Sequence, residues 1–532
     1  MVAILTVAVA GLVALAAVIA TSLRSSEPPP ATGAAALVPA DALAYIHLST
    51  DTARPAVRQA IALERKFPDV PLASAALSAR LGAIFSRPGA AAGTSDLVRD
   101  VRPWLGKEAA FSLLNTASTT AGSLILLDVR DRARAQAFLS RGGATTMGSY
   151  RGVTELGYRS GTVLAFVRHY LAIGQPASVQ SAIDVADGSA PPLADNRAYE
   201  RAAQPEPADR VLDAYVSQAG VRRVLVPRGG VLGAVGRLLD QPALTAATIS
   251  LSAVSGGARV TVHSALDPSL AHLSGGPAPR FEPTLASVLP AGSSLLLDVR
   301  GLSRAAPGVL SATATAGIAP QLGPLLQRLG VALGSEGANV KQLLSLFSGE
   351  TAVAISPGAA KGGGPAPVIV ARTPHPDEAR GVLGNAEGPL AQLFPPPSDG
   401  PGQAPVWNDV TTNGVAVRQL SISPGLQLDY AVFKGLIVVS TSVRAIGAVA
   451  RHSSSLADED RYAAVLPGGS SRVTSLLFLD FSQLLNLGEQ MGLTSGARLS
   501  AVRPDLERIR TVGLTSSRGE ADTTAELFLQ IP

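Results

Sequence analysis

Six histidines are the residues whose chemistry would be easiest to recognise in this sequence. They are His47, His169, His263, His272, His375 and His452. No two of them lie within five residues of each other, so no pair has the spacing of a helical metal site. Cysteine is absent, which excludes disulfides, Cys-ligated zinc or iron–sulfur sites and a thiol nucleophile.

Two of the histidines fall within recognisable local patterns. His169 lies between two apolar runs, where a short hairpin predicts a solvated turn residue. His47 lies within a predicted strand. A similar segment occurs later in the sequence, with Asp298 at the position of His47. Two polar residues at matching positions indicate side chains that face outward. We therefore expect neither histidine to be a ligand or a catalytic base.

The glycine-containing motifs of common enzymes are missing. The sequence has no G-x-S-x-G turn for a hydrolase nucleophile and no G-x-x-x-x-G-K-[ST] phosphate loop. The run Gly229–Gly236 has the wrong spacing for dinucleotide binding, and no acidic residue follows it at the position that contacts ribose. Small residues that let a helix pack closely explain this run better.

Carboxylates are close in sequence at two points. Asp128 and Asp131 lie at a strand-to-helix junction, where Asp131 is expected to cap the helix. The run Asp458-Glu459-Asp460 lacks the ligand pattern of a calcium loop and is typical of a solvated acidic turn. The sequence therefore predicts no catalytic, cofactor-binding or metal-binding residue and no cofactor.

The composition describes a chain with packed cores and no nucleic-acid partner. Of 532 residues, 46% are hydrophobic, which is ample for two to four domains. The 44 basic and 40 acidic residues leave a net charge of only +4, too small to indicate nucleic-acid binding. Aromatic residues make up only 4%, which argues against stacking platforms for single strands or sugars.

The first segment of the sequence predicts a membrane helix. Val2 to Ala20 contains no charge and no proline, and about 28 Å of helix matches the hydrocarbon thickness of a bilayer. We assign residues 1–24 to a transmembrane anchor or a signal segment, since Val18-Ile19-Ala20 resembles a cleavage site. Residues 25–37 read as a tether rich in proline and alanine.

The orientation of this anchor rests on opposing signals. Arg24 follows the apolar stretch, and the positive-inside rule then favours a cytoplasmic body. The absence of cysteine and the proline-rich tether favour an exported body instead. We expect a single-pass protein of the cell membrane with an extracytoplasmic body, with secretion after signal cleavage as the alternative.

Short sequence matches between the first and second parts of the chain occur in the same order and indicate an internal duplication. Pro39 corresponds to Pro290, Phe166 to Val432 and Leu251 to Leu514. The offset grows by about 22 residues across a segment that includes Pro395–Ala404, whose proline and glycine content is typical of an exposed loop. Two unrelated α+β domains with similar strand chemistry remain the alternative.

The predicted architecture is α+β, an N-terminal transmembrane helix followed by two similar units, each a mainly antiparallel sheet with packed helices. The first repeat spans residues 38–267, the linker 268–284 and the second repeat 285–532. Within the first repeat a helix is expected at Asp131–Arg141, with Ala133, Ala137 and Phe138 on one face. A hairpin is expected where Val163–Val167 meets Tyr170–Gly174.

The order of these features resembles a family of bacterial membrane-anchored proteins, of actinobacterial and cyanobacterial type, with a domain of unknown function. The resemblance rests on an opening P-A-D-A-x-A-Y, here Pro39 to Tyr45, and on a G-[KE]-E strand, here Gly106 to Glu108. It implies location and fold type but supplies no catalytic residues.

Three functions are compatible with the sequence. The first is a non-enzymatic binding or scaffolding module of the cell envelope, held at the membrane by the N-terminal helix and contacting an envelope protein or lipid. The second is a carrier of an apolar ligand such as a lipid. The third is a hydrolase with an unrecognised site. The lack of every familiar nucleophile, metal and phosphate motif favours the first.

Overall fold

The protein is α+β, with a large antiparallel sheet and several helices. The computed structural model describes residues 33–64, 100–115, 122–158, 161–227, 236–237, 239–254, 256–270, 279–301, 340–357, 365–392, 394, 405–423, 426–465, 472–483 and 507–532. The predicted membrane segment at 1–24, most of the tether and the loop at Pro395–Ala404 lie outside these ranges. No helix in the described part of the chain has the length and hydropathy needed to cross a membrane.

Twenty strands are described. Those of the first half are β1 (Ala44–Ser49), β2 (Leu105–Leu114), β3 (Gly122–Val129), β4 (Thr145–Tyr150), β5 (Val153–Gly157), β6 (Val163–Val167), β7 (Tyr170–Gly174), β8 (Leu212–Ser217), β9 (Leu244–Val254) and β10 (Gly257–Leu266). Those of the second half are β11 (Leu295–Arg300), β12 (Glu350–Ser356), β13 (Ala366–Arg372), β14 (Trp407–Thr412), β15 (Val415–Ser423), β16 (Leu426–Phe433), β17 (Leu436–Ser440), β18 (Ser475–Asp480), β19 (Thr511–Arg518) and β20 (Asp522–Gln530).

The described α-helices lie in the connections between strands in both halves. They are α1 (Pro55–Glu64), α2 (Arg132–Arg141), α3 (Pro176–Ala186), α4 (Arg197–Ala203), α5 (Val340–Ser345), α6 (Pro376–Gln392), α7 (Val443–Ala450) and α8 (Asp460–Val465). Short 3-10 turns occur at Gly33–Leu37, Leu193–Asp195, Leu285–Ser287 and Leu456–Asp458, and a turn at Gln218–Gly220 continues into a π-helix at Val221–Leu225.

Every described strand pairing is antiparallel, and all twenty strands belong to one sheet. In the first half the order across the sheet is β4-β5-β6-β7-β3-β2-β1-β8-β9-β10. In the second half it is β14-β15-β16-β17-β13-β12-β11-β18-β19-β20. The halves meet where β10 pairs with β20, from Gly257 opposite Gln530 to Ala265 opposite Asp522.

Local sequence explains how several elements begin and turn. Asp131 caps α2 as predicted, because its side chain accepts a hydrogen bond from the amide of Arg134. Between β16 and β17, Lys434 and Gly435 both have positive φ, the conformation of a tight type I′ hairpin.

The buried face of α2 differs from the predicted one. Ala135, Phe138 and Leu139 are buried, whereas Ala133 and Ala137 are exposed. The two large side chains, Phe138 and Leu139, determine the orientation because they bury far more apolar surface than an alanine methyl.

The first half has a hydrophobic core on each side of its sheet. Alternate residues of β1 show this clearly, since Ile46 and Leu48 belong to one core while Tyr45 belongs to the other. α1 and α2 contribute to the first core, and α3 and α4 to the second. A strand between two cores has both faces buried, so its polar side chains are enclosed as well.

Candidate functional site

The first candidate site is a buried ionic cluster in the middle of the first half. His47 of β1 lies between two carboxylates from the neighbouring strands. Its Nδ1 lies 2.9 Å from Oδ1 of Asp213 on β8, and its Nε2 lies 3.3 Å from Oε2 of Glu108 on β2. The expectation that His47 and Asp298 point outward is wrong, because His47 is only 1% exposed and Asp298 is fully buried.

Further side chains complete the cluster. Arg210 donates from Nε to Oδ1 of Asp213 at 2.7 Å, and its Nη2 lies 3.2 Å from Oε2 of Glu206. The hydroxyl of Tyr170 donates to the carboxylate of Glu108. Each carboxylate of the cluster therefore has a cationic or hydroxyl partner, which is how buried charges are normally accommodated.

The surroundings shift the protonation equilibria of the cluster. Burial alone lowers the pKa of an imidazole, but the charge and hydrogen bonds of Asp213 and Glu108 outweigh it and raise the pKa of His47 to about 9. Burial, together with the nearby charge of Asp213, raises the pKa of Glu206 to about 8. For Asp213, burial opposes ionisation, but His47 and Arg210 outweigh it and lower its pKa.

This cluster resembles catalytic constellations in composition but is closed to solvent. The side chains of His47, Glu108, Asp213 and Glu206 are each 5% exposed or less. A general base must reach the proton that it abstracts from a substrate. The cluster therefore lies inside the sheet, out of reach of a substrate in solvent.

The second candidate site lies in the second half, at the sheet end where β11 and β13 finish and β12 begins. Glu350, the first residue of β12, is held by four donors. The amides of Thr284 and Leu285 donate to Oε1 at 2.5 and 2.9 Å. The hydroxyl of Thr284 donates to Oε2 at 2.6 Å, and Nε of Arg372 to Oε2 at 3.1 Å. Glu350 thus fixes the turn at Leu285–Ser287 and the side chain of Arg372.

Asp298 lies on the same face of β11 as the strand-end residue Arg300. Burial, with a smaller contribution from the nearby charge of Glu350, raises the pKa of Asp298 to about 9. A carboxyl in this environment holds its proton at neutral pH. Asp298 therefore adds no negative charge beside Glu350.

A cavity of about 730 Å³ opens beside Glu350. Most of the side chains that line it are polar or charged, and four of them are arginines: Arg280, Arg300, Arg372 and Arg472. Three carboxylates, Glu282, Glu350 and Glu378, and the exposed His375 complete its charged lining. Among the described lining residues, no serine or threonine hydroxyl hydrogen-bonds to the ring of His375.

The remaining residues considered from the sequence lie apart from both sites. His169 is exposed at the β6–β7 hairpin, as predicted. His263 hydrogen-bonds to Thr524 at 3.1 Å across the β10–β20 pairing. Asp128 accepts from the backbone amide of Lys107 at 2.6 Å, and Asp131 caps α2, so the two carboxylates do not share a cleft. Asp458 forms a capping box with Ser455.

Some positions considered from the sequence lie outside the described part of the chain. His272 and residues 228–235, which include most of Gly229–Gly236, lie outside the described ranges. Within the described ranges, no group of histidine and carboxylate side chains is arranged to hold a metal ion.

Sequence reasoning missed the arginines of the cavity and Arg210 of the cluster. Arg280, Arg300, Arg372 and Arg472 are spread over about 190 residues, and no local motif joins them. The usable signal is that Arg300 and Arg372 each directly follow an apolar run in the sequence. Positively charged strand ends can meet at one edge of a sheet, but the strand order is needed to know that these two do.

A family model places the chain among proteins already grouped by sequence. The model, described as "Protein of unknown function (DUF3352)", matches residues 1–531. The chain belongs to this family. The match agrees with the resemblance based on the P-A-D-A-x-A-Y opening and the G-[KE]-E strand, and it assigns no activity.

Comparison with solved structures adds little. Crystal form IV of TP0453 aligns with 47% of this chain and 85% of its own chain, at 13% identity and a TM-score of 0.25. Crystal form III aligns with 49% of this chain and 90% of its own, at 13% identity and a TM-score of 0.27. These scores support no conclusion about fold or function. No curated protein matches the chain.

Proposed function

We propose that this protein is a membrane-anchored, extracytoplasmic binding module of the cell envelope and that it is not an enzyme. The observation that carries the proposal is the contrast between the two candidate sites. The side chains with catalytic potential, His47 with Asp213 and Glu108, are enclosed in the sheet. The accessible cavity beside Glu350 offers charged groups that suit ligand binding.

The polar lining of the cavity also bears on the two alternatives. A carrier of apolar ligands buries them against hydrophobic and aromatic side chains. Here only a few lining residues are apolar, among them Phe281 and Leu346, while arginine and glutamate dominate. A hydrolase would need a nucleophile with its base in such a cleft. The cavity therefore favours binding of a polar ligand.

We also infer that residues 38–267 and 285–532 are two copies of one unit. The strand orders given above support this, since each strand of one half has a counterpart with the same neighbours in the other. The bridges Pro39–Pro192 and Pro290–Ser455 occupy matching places before β1 and β11. Phe166 and Val432 likewise occupy matching places in the hairpins β6–β7 and β16–β17.

The membrane anchor is supported by the sequence of Val2–Ala20 alone. The test is to express the full chain and a variant lacking residues 1–24 in a bacterial host and to extract the membranes with alkaline carbonate. We expect the full chain to stay in the membrane pellet, because about 28 Å of uncharged helix spans the hydrocarbon core. We expect the truncated variant in the soluble fraction. Full-length protein released by carbonate would refute the anchor.

Protease treatment tests the side of the membrane. Added to intact spheroplasts, protease should digest the body of the full chain, while a cytoplasmic marker protein survives. A body that resists digestion until the cells are lysed would show that it faces the cytoplasm. That result would refute the extracytoplasmic location and leave the anchor intact.

A further inference from the structure

We propose that the cavity beside Glu350 binds a polar ligand that carries a phosphate group together with hydroxyl or ammonium groups. This inference rests on the proposed binding function and names the ligand class. The four arginines line one cleft from four separate parts of the chain: the segment before β11, the end of β11, the end of β13 and the segment before β18.

Arg372 is the fixed member of the group. Its Nε donates to the hydroxyl of Thr284 at 2.8 Å and to Oε2 of Glu350 at 3.1 Å, while its side chain stays 44% exposed to the cavity side. A guanidinium held in this way has lost its conformational freedom before any ligand arrives. Such preorganisation lowers the entropic cost of binding.

The other three arginines are free to bind a ligand. Arg280, Arg300 and Arg472 are exposed and have no hydrogen-bond or ion-pair partner within the described part of the chain. Arg300 lies opposite Glu350 in the β11–β12 ladder but forms no ion pair with it. Arg280 and Arg472 flank Phe281 and Val473, which form a bridge. Their positive charges attract an anion that enters the cleft.

Arginine chemistry selects the type of anion. The guanidinium is charged at every physiological pH and presents a planar fork of donors that matches the oxygens of phosphate. The oxygens of a phosphate group are arranged tetrahedrally, so several forks around one cleft can approach them from different directions. The two oxygens of a carboxylate lie in one plane, so a carboxylate would leave part of this donor set unused.

The carboxylates of the cavity define the rest of the ligand. Glu350 is already occupied by Thr284, Leu285 and Arg372, so it does not repel an incoming anion as a free carboxylate would. Glu282 and Glu378 are exposed and have no ionic partner among the described residues. Acceptors beside a phosphate site suit a ligand whose phosphate is joined to hydroxyl or ammonium groups. A polyol phosphate and the headgroup of a phospholipid both have this chemistry.

The matching position in the first half is sealed, which predicts one site per chain. Glu108 pairs with Ser49 in the β1–β2 ladder as Glu350 pairs with Arg300 in the β11–β12 ladder. Its carboxylate is covered by the hydroxyl of Tyr170 and by His47. Ser49 stands where Arg300 stands in the second half. The nearby Arg54 and Arg210 are buried and paired with Asp209, Glu206 and Asp213, so their guanidinium groups are not presented to a ligand.

The experiment is calorimetric titration of the full chain in detergent at constant ionic strength. The probes are glycerol 3-phosphate, inorganic phosphate, glycerol, and dihexanoyl phosphatidylglycerol below its micellar concentration. We expect one glycerol 3-phosphate per chain, weaker binding of inorganic phosphate and none of glycerol. Tighter binding of the short-chain lipid than of glycerol 3-phosphate would identify a lipid headgroup as the source, and the opposite order a free phosphate ester.

Three variants make the result specific to the cavity. Arg300→Gln and Arg472→Gln should each weaken glycerol 3-phosphate binding at least tenfold, because each removes a charged hydrogen-bond donor. Arg444→Gln is the matched control, since Arg444 is an exposed arginine of the same half outside the cavity, and it should change affinity less than twofold. Unchanged melting temperatures without ligand would show that the variants fold.

Two results would overturn the inference. One is the absence of binding heat from all three phosphate-bearing probes, glycerol 3-phosphate, inorganic phosphate and the short-chain lipid, at millimolar concentration. The other is an equal loss of affinity in Arg444→Gln and the two cavity variants, which would indicate non-specific attraction. Neither result affects carbonate extraction or protease accessibility, so the ligand class and the proposed membrane location fail separately.

Discussion

The charge of His47 should make the first half of the protein more stable at pH 6 than at pH 9.5. The perturbation is His47→Gln, which keeps a hydrogen-bonding side chain of similar length between Asp213 and Glu108 but cannot be protonated. The matched exposed control is His169→Gln at the β6–β7 hairpin.

The magnitude follows from the raised pKa of His47. A histidine with a pKa of 6.5 in the unfolded chain and about 9 in the fold stabilises the fold by about 3 kcal/mol when protonated in both states. Since the folded pKa is the higher one, this contribution is complete below pH 6.5 and is lost as the pH rises through 9. The destabilisation caused by His47→Gln should therefore be about 3 kcal/mol larger at pH 6 than at pH 9.5.

The assay uses the two tryptophans of the chain. Trp104 is buried in the core of the first half, and Trp407 lies in β14 of the second half. In a Trp407→Phe background, fluorescence during urea unfolding reports on the first half alone. Glu206 and Asp298 have raised pKa values of about 8 and about 9. Their contributions to the stability of the fold therefore also decrease as the pH rises. The difference between parent and variant, measured at both pH values, removes the contribution of Asp298 and reports on His47 together with Asp213 and Glu206, whose pKa values depend on its charge.

The reasoning would be refuted by a destabilisation that is equal at the two pH values or larger at pH 9.5. Either result would mean that His47 is neutral in the folded protein at pH 6. The carboxylates of Asp213 and Glu108 would then not balance the cost of burying the imidazolium. The same pH dependence in His169→Gln would point to a general effect of charge.

Three other substitutions test separate parts of the structure. Asp131→Ala should speed hydrogen exchange of the α2 amides roughly fivefold, because a lost N-cap costs about 1 kcal/mol, whereas Asp131→Asn should leave it nearly unchanged. Phe478→Ala should cost about 3–5 kcal/mol in urea unfolding of the second half, since this ring is fully buried; the exposed Val406→Ala should cost less than about 0.5 kcal/mol. Gly381→Ala should stabilise α6 by roughly 0.5–1 kcal/mol, because a Cβ there meets no atom within 4 Å; an unchanged or lower melting temperature would contradict this.

Much of the local structure could be predicted from the sequence. Tyr170–Gly174 and Val163–Val167 are strands with the predicted bounds, and α2 begins after its predicted cap. These segments combine an apolar run with a turn or capping residue at each end. β4 was not predicted because its six residues, Thr145–Tyr150, are mostly exposed and lack apolar alternation.

Burial and register were harder to predict than the presence of strands. A polar residue in an alternating strand normally faces water, but β1 lies between two cores, so His47 is enclosed with its partners from β2 and β8. The strand pairings can be followed from β1 through β8 to β9, and in the same way from β11 through β18 to β19. Leu251 then corresponds in position to Ser516, two residues from the Leu514 expected from the sequence. A shift of two residues keeps side chains on the same face, so hydrophobic pattern alone does not reveal it.

The pairing of β20 with both β10 and β19 has a consequence for synthesis. β20 follows β10 by about 250 residues in the chain. At 5–20 residues per second, roughly 10 to 50 seconds pass before it can be made. During that time β10 exposes an unpaired edge, which is a template for association with other chains. The nascent first half should therefore depend on chaperones until β20 joins the two halves.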